Sequence, residues 1–289
     1  MIRLLSATTI AALAIGAITR PILAQPGERL AFEVTSVKPN KSEDFRSMRV
    51  EALPGGKFSA KNLPLKMVIV TAYNLPFQSM RLSGGPDWIN SEKYDIEATP
   101  PSGAFTAGLS DQERKNRMRQ MLQSLLADRF KLVIKAETKE LPRYALSVSK
   151  GGLKLPKSKM EEKDCPEMPA AGTPGCHNFM GGMGRGLHAK GASMDDLAQF
   201  IENWTDHPVV DTTSVQGLFE FETSGWMPMR GPMPRPPDPQ APPSPDGDMS
   251  DPTRPTLFMV LDKLGLSLKL EKGPVEVYVI ENIERPAEN

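Results

Sequence analysis

Phe58-Ser-Ala-Lys-Asn-Leu-Pro-Leu65 and Leu187-His-Ala-Lys-Gly-Ala-Ser-Met194 are two versions of one pattern, and this repetition decides the predicted fold. Each reads apolar, polar, Ala, Lys, a small or turn-forming residue, and then the start of an apolar run. Each is followed by an alternating segment, Tyr94-Asp-Ile-Glu-Ala98 or Phe219-Glu-Phe-Glu222, which is typical of a half-buried strand. Similarity at a fixed distance along a chain indicates internal duplication.

The similarity continues beyond these stretches. The apolar residues of the first run fall opposite those of the second: Leu65, Val68, Ala72 and Leu75 opposite Met194, Leu197, Ile201 and Trp204. Farther on, Leu125, Phe130, Leu132 and Ile134 align with Leu261, Leu266, Leu268 and Leu270, and each set leads to a tyrosine, Tyr144 or Tyr278. We predict an α+β fold in which a small, mostly antiparallel sheet with packed helices occurs as two pseudo-repeats.

The expected boundaries follow from composition. Residues 25–152 form the first repeat, residues 153–186 an irregular linker rich in Cys, Met and Gly, and residues 187–289 the second repeat. The second repeat contains an insertion at 226–255, in which eleven of thirty residues are proline. Such a segment buries too little apolar surface to offset its ordering entropy, so it is expected to be disordered.

Local signals place the helix starts. Ser110-Asp-Gln-Glu113 is a capping box, and Ser193 is expected to cap the matching helix of the second repeat. Asn62 is the predicted cap of the helix that begins near Pro64. Separate strands are predicted at 130–136 and 144–148, and again at 266–270 and 275–280.

The first residues are typical of a signal peptide. Arg3 precedes an uncharged apolar stretch at 4–18, and Ala24 offers a small residue for cleavage, with Gln25 first in the mature chain. A membrane anchor is the alternative, but the run is shorter than the roughly 20 apolar residues of a spanning helix. We expect an exported protein of the periplasm or the extracellular space, without a membrane span after removal of residues 1–24.

Charge excludes one class of partner. Removal of Arg3 and Arg20 leaves 33 basic and 35 acidic residues, a net charge of −2. A near-neutral chain lacks the positive surface that nucleic acid requires, so we expect no nucleic-acid partner. The partner is expected to be an unidentified protein or small molecule.

The chain contains two cysteines, and in an oxidising compartment they are expected to form a disulfide, Cys165–Cys176. A copper(I) site is the alternative, because thiolate, thioether and imidazole donors occur together between 160 and 188. Those donors are Met160, Cys165, Met168, Cys176, His177, Met180, Met183 and His188. We assign no metal and no cofactor.

No catalytic residue is assigned. Ser147-Val-Ser-Lys150 matches a pattern of penicillin-recognising enzymes, but it lies at a predicted strand end where those enzymes have a helix start. The glycines at 182–186 follow no predicted strand and are interpreted as a hinge. Asp195 and Asp196 are interpreted as favourable charges at a helix start, and His207 as a turn residue.

Four segments in one order carry a resemblance to a known family: residues 32–40, 84–96, 125–132 and 139–146. The chain resembles an uncharacterised family of exported bacterial proteins, abundant in acidobacteria and known as a domain of unknown function. Some relatives carry this domain beside a membrane-embedded zinc peptidase of the antibiotic-sensor type. The resemblance implies an extracytoplasmic sensing or binding role, and it supplies no catalytic residues.

Two function classes remain from the sequence. The first is a non-enzymatic binding or sensing module, favoured by the duplication and by the lack of a catalytic motif. The second is an unrecognised extracytoplasmic hydrolase. A closed pocket with converging polar groups and perturbed pKa values would favour the hydrolase, whereas an open sheet edge or apolar patch would favour binding.

Overall fold

The computed structural model describes residues 29–106, 108–165, 175–227, 229 and 253–287. The predicted signal peptide and most of the predicted proline-rich insertion lie outside the described residues. The described residues contain five α-helices and three small, mostly antiparallel sheets, which confirms the predicted α+β class. Among them, no helix combines the length and the apolar character needed to cross a membrane.

The elements follow one another in two comparable series. The first half contains β1 (Val34–Asn40), β2 (Arg49–Leu53), β3 (Lys57–Pro64), α1 (Leu65–Ala72), β4 (Leu82–Gly84), α2 (Trp88–Ser91), β5 (Lys93–Thr99), α3 (Asp111–Phe130) and β6 (Val133–Val148). The second half contains β7 (Met180–Gly182), β8 (Gly186–Ala192), α4 (Met194–Glu202), β9 (Val209–Asp211), β10 (Phe219–Glu222), α5 (Leu257–Lys263) and β11 (Leu266–Asn282).

The strand pairing recurs between the halves. The N-terminal sheet has the order β1-β5-β3-β2, and the C-terminal sheet has the order β10-β8-β7. Hairpin β2–β3 corresponds to hairpin β7–β8, and the β3–β5 pair corresponds to the β8–β10 pair. This recurrence is what the predicted duplication requires, and the superposition of the two halves stays a prediction.

A central sheet with the strand order β4-β11-β6-β9 joins the halves. From either edge, a short strand is followed by a long one. β6 and β11 pair antiparallel along their length, with Glu140 opposite Pro274. Tyr278 of β11 lies opposite Leu82 of β4, and Tyr144 of β6 lies opposite Val209 of β9, both in parallel pairs. Each short strand therefore pairs with the long strand of the other half, so the halves cannot separate without breaking this sheet.

Two helix starts were predicted correctly and one was wrong. Ser110 and Ser193 both form capping boxes, with Glu113 and Asp196 respectively. Asn62 does not cap α1, because β3 continues to Pro64. It lies instead at a register shift in β3 with a φ of 51°, a conformation that asparagine tolerates better than most residues.

The two strand pairs predicted at the end of each half are single long strands, β6 and β11. Pro142 and Pro274 lie in the segments between the separately predicted strands. Around these prolines β6 and β11 form a two-stranded ribbon, with no third strand beside it among the described residues. Each proline nitrogen can therefore face the open side without loss of a hydrogen bond between strands.

A residue with positive φ follows each helix that precedes a long strand, Lys131 after α3 and Gly265 close after α5. If these two residues are equivalent, the superposition should place Leu132 opposite Leu266, two residues before the Leu268 of the predicted alignment.

Each half has its own hydrophobic core. Trp226 is fully buried in the second core, so it belongs to the packed fold, although the predicted disordered segment began there. Residues 156–158, within the predicted irregular linker, hydrogen-bond to Leu218, directly before β10, and to Glu220 within it. These residues lie beside β10 in the way that β1 lies beside β5. The second half of the fold therefore begins within the predicted linker.

A buried ion pair connects the halves. Arg81, which precedes β4, pairs with Glu202 at the end of α4, and the Glu202 side chain is only 3% exposed. Glu202 also accepts hydrogen bonds from Ser79 Oγ at 2.7 Å and from the Val209 amide at 3.0 Å. Its carboxylate is thus fully hydrogen-bonded, which a buried charge requires.

Candidate ligand-binding groove

A groove of about 660 Å³ lies beside the β2–β3 hairpin and α3, in the first half. Its apolar wall comes from the edge strand β2, the end of α1 and the core side of α3. The side chains that form this wall include Val50, Leu53, Val70, Phe77, Phe105 and Met118. We call this part of the groove the apolar lobe.

A smaller pocket of about 250 Å³ continues from the apolar lobe toward α4 of the second half. Its lining is rich in side-chain amides, from Asn74, Gln112, Asn178, Gln199 and Asn203. We call it the polar lobe. Lys115, Arg119 and His177 line both lobes and mark the junction between them.

His177 connects three segments at this junction. Its Nδ1 lies 2.7 Å from Asp196 Oδ2, and its Nε2 lies 2.8 Å from Glu162 Oε2. Its side chain is only 9% exposed. The hydrogen bond with Asp196 raises the pKa of His177 to about 9, so the imidazole is charged at neutral pH and both ring nitrogens donate.

Asp196 has two roles at once. It completes the capping box of α4 by accepting hydrogen bonds from Ser193 N at 2.8 Å and Ser193 Oγ at 2.7 Å, and it holds His177. Although burial opposes ionisation, the bonds from His177 and Ser193 hold the pKa of Asp196 below its usual value. Burial, and then the charge of Asp196, raise the pKa of the neighbouring Asp195.

The two cysteines form the predicted disulfide, Cys165–Cys176, with an Sγ–Sγ distance of 2.11 Å. It brings Glu162 within reach of His177, because each lies within three residues of a bridged cysteine. The donor atoms of Glu162, Cys165 and His177 lie within 4.8 Å of one another. A closed disulfide offers no thiolate, so this arrangement does not favour the copper alternative while the bridge is intact.

The remaining donors of that predicted copper set are not gathered at the junction. His188 contacts Glu222 at 3.0 Å and the Arg185 carbonyl at 2.9 Å. Met180 lies on β7 with 38% of its surface exposed, and Met183 packs against the second core. Met168 lies outside the described residues. Met160 is half-buried, and its amide donates to Ser158.

The other residues singled out in the sequence have local roles. Ser147 Oγ lies 3.0 Å from Ser267 Oγ across the β6–β11 pair, where it is a cross-strand contact. Lys150 lies just beyond the end of β6. His207 packs its ring edge-on against Tyr144, with centroids 5.7 Å apart.

The junction does not have the geometry of a nucleophilic triad. Ser193 Oγ and His177 Nδ1 both contact the same oxygen, Asp196 Oδ2. In a triad the histidine lies between the hydroxyl and the carboxylate, and it is neutral so that it can accept the hydroxyl proton. His177 instead holds its proton up to about pH 9 and lies between two carboxylates.

Sequence reasoning missed the residues that form the groove. Lys115 and Arg119 lie on α3 among other charged residues of similar spacing, and no local pattern separates them from solvated side chains. The edge strand β2 is exposed throughout, so its sequence does not distinguish it from an ordinary surface strand. The spacing of Lys115 and Arg119, four residues apart, places them on one helix face and is the only signal available.

The family comparison covers most of the chain. Residues 66–283, from the second residue of α1 to the residue after β11, match the family model described as a protein of unknown function, DUF3738. The match excludes β1, β2 and β3, and the last two of these supply one wall of the apolar lobe. No curated protein and no solved structure matches the chain. The chain belongs to the DUF3738 family of proteins of unknown function.

Proposed function

We propose that this protein is a non-enzymatic, extracytoplasmic binding module, and that the groove holds a small-molecule ligand. The observation that carries the proposal is the joining of an apolar lobe of about 660 Å³ to a polar lobe of about 250 Å³. Ligand clefts have volumes of about 300–1,000 Å³, with mostly apolar walls and a few polar groups that fix orientation. The two lobes together have this composition.

The surroundings of the groove favour an open binding site over the closed pocket expected of a hydrolase. The apolar wall includes partly exposed side chains, with Leu53 36% and Phe77 54% exposed. Exposed apolar surface beside an open edge strand is typical of a binding surface. The signal-like N-terminus and the disulfide support an extracytoplasmic location, where binding would serve a sensing role of the kind that the family resemblance implies.

The alternative, an unrecognised hydrolase, lacks a supporting arrangement among the described residues at the junction. The perturbed pKa values there belong to His177, Asp195 and Asp196, which an enzyme could use. However, the same values follow from ion pairing and helix capping, and the charged His177 is in the wrong state to act as a base.

The proposal is tested with Nile red, an uncharged dye that becomes fluorescent in apolar sites. The wild-type protein should bind it saturably, and Met118→Trp should abolish binding by filling the apolar lobe. Gln120→Trp is the matched control, because Gln120 lies on the same helix but is exposed and does not line the groove.

Leu53→Glu is a second variant, on an exposed edge strand where substitution has little effect on folding. It should weaken dye binding while leaving the unfolding transition close to that of the wild type. Equal binding by the wild type, Met118→Trp and Leu53→Glu would contradict the proposal, as would the absence of saturable binding.

A further inference from the structure

Three cations meet where the apolar lobe opens into the polar lobe. Lys115 and Arg119 project from one face of α3, and His177 faces them from the segment after the disulfide. The charge balance at this junction decides which ligand head it can accept.

Two of the three cations already have acidic partners. Lys115 Nζ lies 2.7 Å from Asp111 Oδ2, and His177 lies between Asp196 and Glu162. Their charges are compensated within the protein, so neither needs a charged ligand.

Arg119 differs from both. Its Nη1 donates to the side-chain oxygen of Asn116 at 3.1 Å, and among the described residues no carboxylate lies within the 4.0 Å distance of an ion pair. Partial burial of the guanidinium lowers the pKa of Arg119, and the charges of Asp196, Asp111 and Asp195 oppose this shift. A guanidinium offers a planar set of donors that matches a carboxylate in two parallel hydrogen bonds.

We propose that the ligand is an amphiphile with one anionic head, that Arg119 binds the head, and that the tail lies along the apolar lobe. This inference rests on the proposed binding function and deepens it by naming the ligand class. A single charge is favoured, because Asp195 and Asp196 line the polar lobe and would repel a second negative charge. A monocarboxylate with an alkyl tail has the required chemistry.

The test is titration calorimetry with three ligands of equal tail length: decanoate, decanol and decyltrimethylammonium. Wild-type protein should bind decanoate about tenfold or more tightly than the other two, since a hydrogen bond to a charged group contributes on this scale. Arg119→Gln should lower the affinity for decanoate about tenfold and leave the affinity for decanol unchanged.

Arg117→Gln is the matched control. Arg117 lies on the same helix, donates to the Ala104 carbonyl at 3.0 Å and does not line either lobe. Its substitution should leave all three affinities unchanged, and an equal loss of decanoate binding in both arginine variants would overturn the role of Arg119.

The outcomes separate this inference from the function on which it rests. Binding of decanoate and decanol with equal affinity would overturn the anionic head while leaving the groove as a ligand site. Tighter binding of decyltrimethylammonium than of decanoate would also overturn the anionic head, because it would show that the junction prefers a positively charged ligand. Failure of all three ligands to bind while Nile red still binds saturably would overturn the ligand class and leave the groove as a ligand site. Failure of Nile red to bind as well would overturn the proposed function itself.

Discussion

Replacement of His177 by glutamine should make the stability of this protein less dependent on pH. The imidazole has a pKa of about 9 in the folded chain, against 6.5 for an unperturbed histidine. A pKa that is raised on folding contributes stability below the unfolded value, pH 6.5, and this contribution is lost as pH rises through 9. The difference of about 2.5 pKa units corresponds to about 3 kcal/mol.

The assay is urea unfolding of the wild type and His177→Gln at pH 6 and pH 10, followed by circular dichroism. The described residues include no free cysteine, so thiol exchange should not complicate the alkaline measurement. The destabilisation caused by the substitution should be about 3 kcal/mol larger at pH 6 than at pH 10. The same destabilisation at both pH values would refute the reasoning, because it would mean that the charge of His177 contributes nothing.

His188→Gln is the control for this experiment. His188 also has a raised pKa, chiefly through its hydrogen bond with Glu222, but the Glu222 side chain is 79% exposed. Solvent screens such a pair, so the pH-dependent part of its effect should be clearly smaller than that of His177→Gln.

Three further predictions about the fold are tested by urea unfolding. Replacing Cys165 and Cys176 together by serine should cost up to about 3 kcal/mol, since the bridge restricts the unfolded chain, and no change would show that it has no stabilising role. Glu202→Gln should lower the free energy of unfolding by about 3 kcal/mol, because it leaves the buried Arg81 charge uncompensated. Glu220→Gln is the control, in a surface pair at 3.9 Å, and should change stability by less than about 1 kcal/mol. Equal effects of the two substitutions would contradict the role of the buried pair. Lys131→Gly should stabilise the chain by about 1 kcal/mol because φ at this position is 51°, and destabilisation would contradict that conformation.

The features that the sequence predicted are those encoded by neighbouring residues. The predicted capping box at Ser110 and the predicted cap at Ser193 each depend on about four consecutive residues, and both are present. The alternation at 94–98 and 219–222 likewise predicts strands from period alone, and β5 and β10 lie there. Local rules are sufficient for such elements because their hydrogen bonds lie within, or directly beside, the predicted segment.

Predictions failed where a distant partner decides the local conformation. Asn62 has the residue type of a helix cap, but its side-chain nitrogen donates to the Asp44 carbonyl and to Ser47 Oγ, which no pattern near Asn62 reveals. Trp226 begins a proline-rich segment, yet its indole packs against Trp204 in the second core. Composition averages over a segment and cannot identify the one residue that is buried.

The groove could not be predicted for a related reason. Its walls come from β2, α1, α3 and the segment at 175–178, which meet only after the fold has formed. Arg119 and Arg117 are indistinguishable in sequence, and only packing places one at the junction of the lobes and the other beside Ala104. The predicted duplication also did not indicate this site, because the groove is formed mostly by the first half.

Hydrogen–deuterium exchange of the wild-type chain, with and without saturating decanoate, locates the ligand within the fold. Binding in the groove should slow exchange at 50–58, 70–77 and 115–122, which form its walls, and leave the β6–β11 ribbon at 135–142 unchanged. Slowed exchange confined to the ribbon or to the second core, or no change at the groove walls, would contradict a ligand site at this position.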